Sequence, residues 1–288
     1  MLFCKGNRQS ACVAPHILTH ILFGSTTDGI GLFETLKTCS TCGKARNESA
    51  QLLLSISRNT SPNSAHPQSM CNLYSMTRNR EAIIRLFRVS HNRAAVFEPQ
   101  SAIFPGGSAP IVRRADDGER ELVVMSWGFP LAQKDKSAKR VTNARDDTVL
   151  ESRFWRSSFE DRRCLVPVTS FSEPKGKKPA IWHWFALDET REPFAFAGLW
   201  RHWRGRLKPT AEPIEMDVYA FLTTRPNEIV SPIHPTRMPV MLVGDEAQET
   251  WLTGSSKEAI ALARPYPADR MKIVAKGDKQ DMGAGYEY

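Results

Sequence analysis

From Ile111 to Leu242 the chain carries seven apolar segments of strand length, separated by turn-forming residues. They occupy positions 111–113, 122–127, 164–172, 180–187, 194–203, 216–223 and 238–242. Segments this short, rich in Val, Phe, Trp and Tyr, bury too little surface alone and must pair laterally. Their spacing predicts an α+β fold: one β-rich domain with a curled or barrel-like, mostly antiparallel sheet and a few short helices. Helices are expected over 153–159 and 244–252. A further one follows an opening strand at 71–74, with Thr77 as its N-cap and Ala82, Ile83, Leu86 and Phe87 on one apolar face. Residues 99–110 form a Pro/Gly-rich loop around Phe104-Pro105-Gly106-Gly107.

The patterned region has a sharp upstream limit. Residues 1–69 are rich in Ser, Thr and Asn and hold none of the seven Trp or five Tyr. They read as an unstructured leader, either a propeptide or a mis-assigned start. The domain is expected over 70–280, with fraying from about Gly277 and a flexible tail at 281–288. The net charge of +8 suits a polyanionic partner without identifying one. Four of the six cysteines lie in the first 42 residues. A disulfide scaffold is therefore not expected, and a reducing cytoplasm is. No apolar run approaches the roughly 20 residues of a membrane helix. The start also lacks the charged, apolar and small-residue order of a secretory signal.

Cys39 and Cys42 have zinc-ligand spacing, but no second pair stands at a matching distance. Cys4, Cys12, His16 and His20 match no familiar ligand frame, so no metal and no cofactor is expected. Cys71 differs because Met70 immediately precedes it. A chain begun at Met70 would, once that Met is removed, start with a 1,2-aminothiol. Such an amine, with a pKa near about 8, is substantially neutral at pH 7 and can attack an aldehyde to form a Schiff base. The thiol can then close on the imine carbon to give a thiazolidine. An amide nitrogen cannot begin this sequence, because its lone pair is delocalised. Without the free amine, Cys71 reads as an ordinary buried cysteine.

Other polar residues stand in places that admit chemistry. Asn143-Ala144-Arg145-Asp146-Asp147 occupies a polar loop, where it serves either turn formation or sugar-phosphate recognition. Arg153 and Arg162 follow nearby and could hold further phosphates. Glu173 closes an apolar strand ahead of Lys175-Gly176-Lys177-Lys178; it is either a solvated strand-end carboxylate or a general acid/base. His234 lies in a loop stiffened by Pro232 and Pro235, as a placed side chain would need. Trp127-Gly128-Phe129-Pro130 is core on a bend, or an aromatic face that stacks on bases.

Taken together and in order, these pieces resemble the SOS response-associated peptidase family. The matching segments are Met70-Cys71-Asn72-Leu73-Tyr74, Trp127-Gly128, Asn143-Ala144-Arg145 and the run from Arg163 through Cys164 to Glu173. They continue with Phe196-Ala197-Gly198-Leu199-Trp200, Thr223-Thr224 with Asn227, and Ile233-His234 through Arg237-Met238-Pro239-Val240. The resemblance spans Met70 to about Asp278. It implies capture of abasic sites in single-stranded DNA, with Cys71 as the covalent attachment point of a thiazolidine crosslink that shields the lesion. Asn143 would hold the opened deoxyribose, and Glu173 and His234 would assist proton transfers. Arg145 and Arg153 would grip phosphates, while Trp127 would bend or block the strand. A peptidase activity would release whatever precedes Cys71. A monomer that associates with the bacterial nucleoid when bound to DNA is expected. Three positions depart from the pattern: His234 and Arg237 are one residue further apart, Pro174 follows the acid where Trp is common, and Asp147 replaces a Glu. Two other readings fit the residues, a cysteine hydrolase using Cys71 and His234, and a non-covalent single-strand binder using Trp127 and the arginines.

Overall fold

The computed structural model describes residues 72–94, 96–177 and 179–283. Cys71, the leader and its candidate zinc ligands lie outside the described residues. Strand β1 (Tyr74–Met76) opens the fold and helix α1 (Arg80–Leu86) follows. The N-cap of α1 is Asn79, whose side chain accepts from the backbone N–H of Ala82, not the expected Thr77. Thr77 is buried and faces Thr169 instead. Of the expected apolar face, Ala82, Ile83 and Phe87 are buried while Leu86 is exposed.

Seven strands follow: β2 (His91–Asn92), β3 (Gln100–Ile103), β4 (Ser108–Arg114), β5 (Arg120–Trp127), β6 (Phe129–Gln133), β7 (Lys136–Val141) and β8 (Asn143–Arg145). After helix α2 (Arg156–Asp161) come β9 (Arg163–Val168), β10 (Ser170–Lys175), β11 (Ile181–Ala186), β12 (Phe194–Gly205) and β13 (Ile214–Thr224). The short β14 (Met238–Pro239) and β15 (Met241–Leu242), helices α3 (Asp245–Thr253) and α4 (Ser256–Ala261), and strand β16 (Lys272–Gly277) complete the domain.

Strands β5, β4, β9, β12 and β13 neighbour one another in that order, and β13 returns to pair with β5, closing a five-stranded barrel. The closing pair is parallel, Tyr219 opposite Trp127; the other pairs in the ring are antiparallel. A second sheet has the order β16-β11-β10-β1-β3. The β-rich α+β class with a barrel-like sheet is therefore the observed one.

The apolar run expected as a single strand at 164–172 divides at Thr169. Val168 ends in the barrel opposite Phe194, whereas Ser170 pairs with Ser75 in the second sheet. Hydroxyls make the crossing possible: Ser75 Oγ lies 2.9 Å from Thr169 Oγ1 and 2.7 Å from Ser170 Oγ. These bonds satisfy polar groups at a buried strand junction that aliphatic side chains would leave unpaired. Aromatic rings fill the space between the sheets. Tyr74 meets Trp127 edge-on at 5.1 Å, and Phe221 stacks on Trp127 at 5.3 Å.

The expected fraying after Gly277 does not occur where the chain is described. Asp281 is fully buried, ion-paired with Arg191 at 2.9 Å and accepting from Ser170 Oγ at 2.6 Å.

Candidate active site

Two neighbouring strands of the second sheet bring the first acidic and amide groups together. Tyr74 pairs with Phe171 and Ser75 with Ser170, and Ser172 donates its N–H to the Leu73 carbonyl at 2.9 Å. Continued by one residue, that register sets Asn72 opposite Glu173. Directly paired residues project to the same side of a sheet. Asn72 and Glu173 therefore share the face that carries Tyr74 and Phe171 into the core. Glu173 has no exposed surface. An ionisable group held away from water is a candidate for chemistry as well as for packing.

Asn143 reaches the same place from the barrel side. Strand β8 lies parallel to the end of β13, Asn143 beside Phe221 and Arg145 beside Thr223. The Asn143 amide donates to Thr142 Oγ1 at 2.8 Å, and that hydroxyl donates to Asn72 Oδ1 at 3.0 Å. Trp127 Nε1 donates to the Thr142 carbonyl at 3.2 Å. Trp127 is wholly buried, so the expected base-stacking surface is not there. Its ring belongs to the aromatic core, and its indole N–H supports the backbone on which Asn143 stands. The reason is tertiary: β5 meets β13 with Trp127 opposite Tyr219, and Tyr74 and Phe221 close over the ring.

His234 stands in the loop after β13. Its Nδ1 lies 2.7 Å from the carbonyl oxygen of Arg237. A carbonyl only accepts, so this bond places the proton on Nδ1. In the neutral ring Nε2 then carries the lone pair, which is the arrangement of a general base. The Arg237 N–H also approaches Nδ1, at a longer 3.3 Å; one nitrogen cannot both donate and accept, and the shorter contact decides. Nε2 is buried without a hydrogen-bond partner among the described residues. The Arg237 guanidinium turns the other way, bonding Asp146 and the Thr223 carbonyl. The extra residue between His234 and Arg237 is thus absorbed in a loop whose arginine ties the His234 segment to the strand bearing Asn143.

The remaining arginines divide. Arg145 is exposed, and both oxygens of Asp147 accept from it, at 2.9 and 2.6 Å. Those hydrogen bonds outweigh burial and hold its basicity above the usual value. The Asp in place of the family's Glu is therefore used, as the arginine's partner. Arg153 is exposed in the turn before α2. Arg162 caps the end of α2, donates to Ser157 at 3.0 Å and lies close enough to Arg201 to disfavour that residue's charge. Burial, with Arg162 adding to it, brings Arg201 down to about 10. None of the hydrogen bonds above joins Arg153 or Arg162 to Asn143, Glu173 or His234.

Cys164 is the free cysteine among the described residues. Burial pushes its thiol far above the ordinary range, so it stays protonated and inert. Among the described residues no group of three or more His, Cys, Asp or Glu is placed to hold a metal ion. Reasoning from sequence missed Thr142, and named Asn72 and Asp146 only within their segments, without a part of their own. Thr142 directly precedes Asn143, and a hydroxyl beside a candidate amide was the available signal.

A family model described as SOS response associated peptidase (SRAP) matches residues 70–277. The abasic site processing protein YoqW of Bacillus subtilis is 29% identical over 214 residues, covering 70% of this chain and 90% of that protein. YoaM, an abasic site processing protein of the same organism, is 31% identical over 193 residues, covering 61% of this chain and 77% of its own. The abasic site processing protein HMCES of Gallus gallus is 29% identical over 203 residues, covering 60% of each chain. A crystal structure of a Bacteroides thetaiotaomicron protein superposes with a TM-score of 0.57 at 23% identity, over 70% of this chain and 90% of that one.

Proposed function

The chain belongs to the SOS response associated peptidase family, and from that premise we propose that it captures abasic sites in single-stranded DNA through Cys71 once that residue is the amino terminus. The observation that carries this reading is the hydrogen-bonded run from Asn143 through Thr142 to Asn72, which the β1–β10 register, continued past Tyr74 and Phe171, sets opposite Glu173. Asn72 is the residue that follows Cys71. An amide and a buried carboxyl thus flank the start of β1, and the loop after β13 adds a histidine whose Nε2 carries a lone pair.

Every step conserves its atoms. The Cys71 amine adds to the C1′ aldehyde of the ring-opened deoxyribose, forming an N–C bond and a carbinolamine. Loss of the hydroxyl as water gives the imine. The thiol adds to the imine carbon, its proton moves to nitrogen, and the thiazolidine closes with a net loss of one water. His234 Nε2 is suited to take the proton leaving the attacking amine, Glu173 to deliver one to the departing hydroxyl, and Asn143 to hold the sugar. Arg145 is the exposed phosphate ligand nearest this strand, with Arg153 and Arg162 as outlying ones. Removal of the segment before Cys71, the peptidase step, precedes all of this.

Intact mass spectrometry tests the proposal. The full chain and a chain begun at Met70 are each incubated with an oligonucleotide bearing one abasic site. A species with the mass of protein plus oligonucleotide less one water, lost in Cys71→Ala, is expected from protein that starts at Cys71. The proposal fails if such protein gives no adduct. An ordinary cysteine hydrolase would act without a free amine, and a non-covalent binder would release its DNA in high salt.

A further inference from the structure

We propose that the β6–β7 hairpin is a basic arm that holds the sugar-phosphate backbone beside the candidate active site; this rests on the reading above that the ligand is DNA. The hairpin is a two-stranded sheet of its own, apart from the barrel and the second sheet. It grows directly from the site: β6 begins after Trp127-Gly128, and β7 ends one residue before Thr142. At about 3.3 Å per residue its longer strand reaches roughly 20 Å.

Its base is rigid. Arg140 donates to Ser126 Oγ at 3.2 Å and to the carbonyl of Gly128 at 3.3 Å. A Cβ at Gly128 would lie 2.9 Å from the Arg140 Cβ, so only glycine admits this close packing. Further out, Ala138 donates its N–H to the Leu207 carbonyl at 2.8 Å, seating the arm against the turn between β12 and β13.

The charges on the two neighbours differ. On the β12–β13 hairpin Arg204 is paired with Glu215 and Arg206 with Glu212, which leaves the exposed Lys208 alone without an ion pair among the described residues. On the arm Lys134, Lys136 and Lys139 are all exposed, and none has an ion-pair partner among the described residues. Three lysines against the single Asp135 at the turn leave the ribbon net positive, and such charge on a fixed ribbon, continuous with a strand that supplies a candidate sugar-binding amide, is the footprint of a phosphate backbone. Lysines on a short two-stranded ribbon also have a plainer use, since they deter edge-to-edge pairing. The two roles separate by charge sign: glutamates guard an edge as well as lysines do, but repel phosphate.

The test measures binding of the full chain to single-stranded DNA against salt, by fluorescence anisotropy, alongside adduct formation on abasic DNA. A variant combining Lys134→Gln, Lys136→Gln and Lys139→Gln is expected to flatten the log–log salt slope by about two units, at roughly 0.7 per contact. The corresponding triple Glu variant should remain soluble and bind at least about tenfold more weakly at ~0.1 M salt. Lys257→Ala, on exposed α4, should leave the slope unchanged. An unchanged slope and affinity in both triple variants, with wild type still forming adduct, overturns the arm alone. Slopes that fall as expected while wild type forms no adduct overturn the covalent reading and leave the arm. A triple Glu variant that aggregates with unaltered affinity overturns the arm in favour of edge protection.

Discussion

Some single residues here act through both ends at once. Arg237 offers its carbonyl to His234 Nδ1 and its guanidinium to Asp146 and Thr223. It touches no reacting atom in the proposed capture and is a positioning residue. Arg237→Met leaves Asp146 without its cation and should cost about 1–3 kcal/mol in urea unfolding. Adduct formation should slow by at least about tenfold, with Arg237→Lys recovering part of the rate and the salt slope of DNA binding unchanged. Equal rates for the Arg237→Met variant and wild type would confine the residue to a structural role. Trp127 shows the opposite lesson. An aromatic before a glycine reads first as core and otherwise as a stacking surface, and its 0% exposure decides for core.

At the scale of elements, local signals located most strands but not their ends. The runs expected at 122–127, 180–187, 194–203 and 216–223 fall on β5, β11, β12 and β13, because alternation and β-branched content are read within one strand. Helix α1 began later than expected, since Thr77 and Asn79 are both good caps and tertiary contacts chose between them. Thr77 is drawn into the Ser75–Thr169 hydroxyl cluster, which leaves Asn79 to accept from Ala82. Asn79→Ala should therefore lower stability by about 1 kcal/mol, seen as an earlier urea midpoint at constant slope. No change would mean that water replaces the cap at little cost. The split at Thr169 was not legible, because an apolar run says nothing about which sheet each half joins.

Across the whole molecule, residues far apart in sequence close the structure. Asp281 is joined to Arg191 and Ser170 beneath the second sheet. Burial alone would raise its carboxyl, but the hydrogen bonds from Arg191 and Ser170 and the arginine charge outweigh burial and hold it below the ordinary range. A carboxyl depressed in the folded state contributes stability that is complete above the unfolded value, about 3.9, and lost as pH falls through the lower folded value. Asp281→Asn should cost about 3 kcal/mol near neutrality by stranding the buried Arg191, and should lose less further stability than wild type on acidification below about pH 4. Parallel acid-unfolding curves for the two proteins would contradict this. The amino-acid sequence by itself determined the β-rich class and the order of the motifs, and singled out Asn143, Glu173 and His234 as candidates, because these rest on local pattern and on side-chain chemistry. Tertiary structure alone decided that β13 closes the barrel on β5, that Trp127 faces inward, that Arg237 pairs with Asp146 and that Asp281 is buried against Arg191. Each of these depends on which distant strands become neighbours, and no local signal carries that.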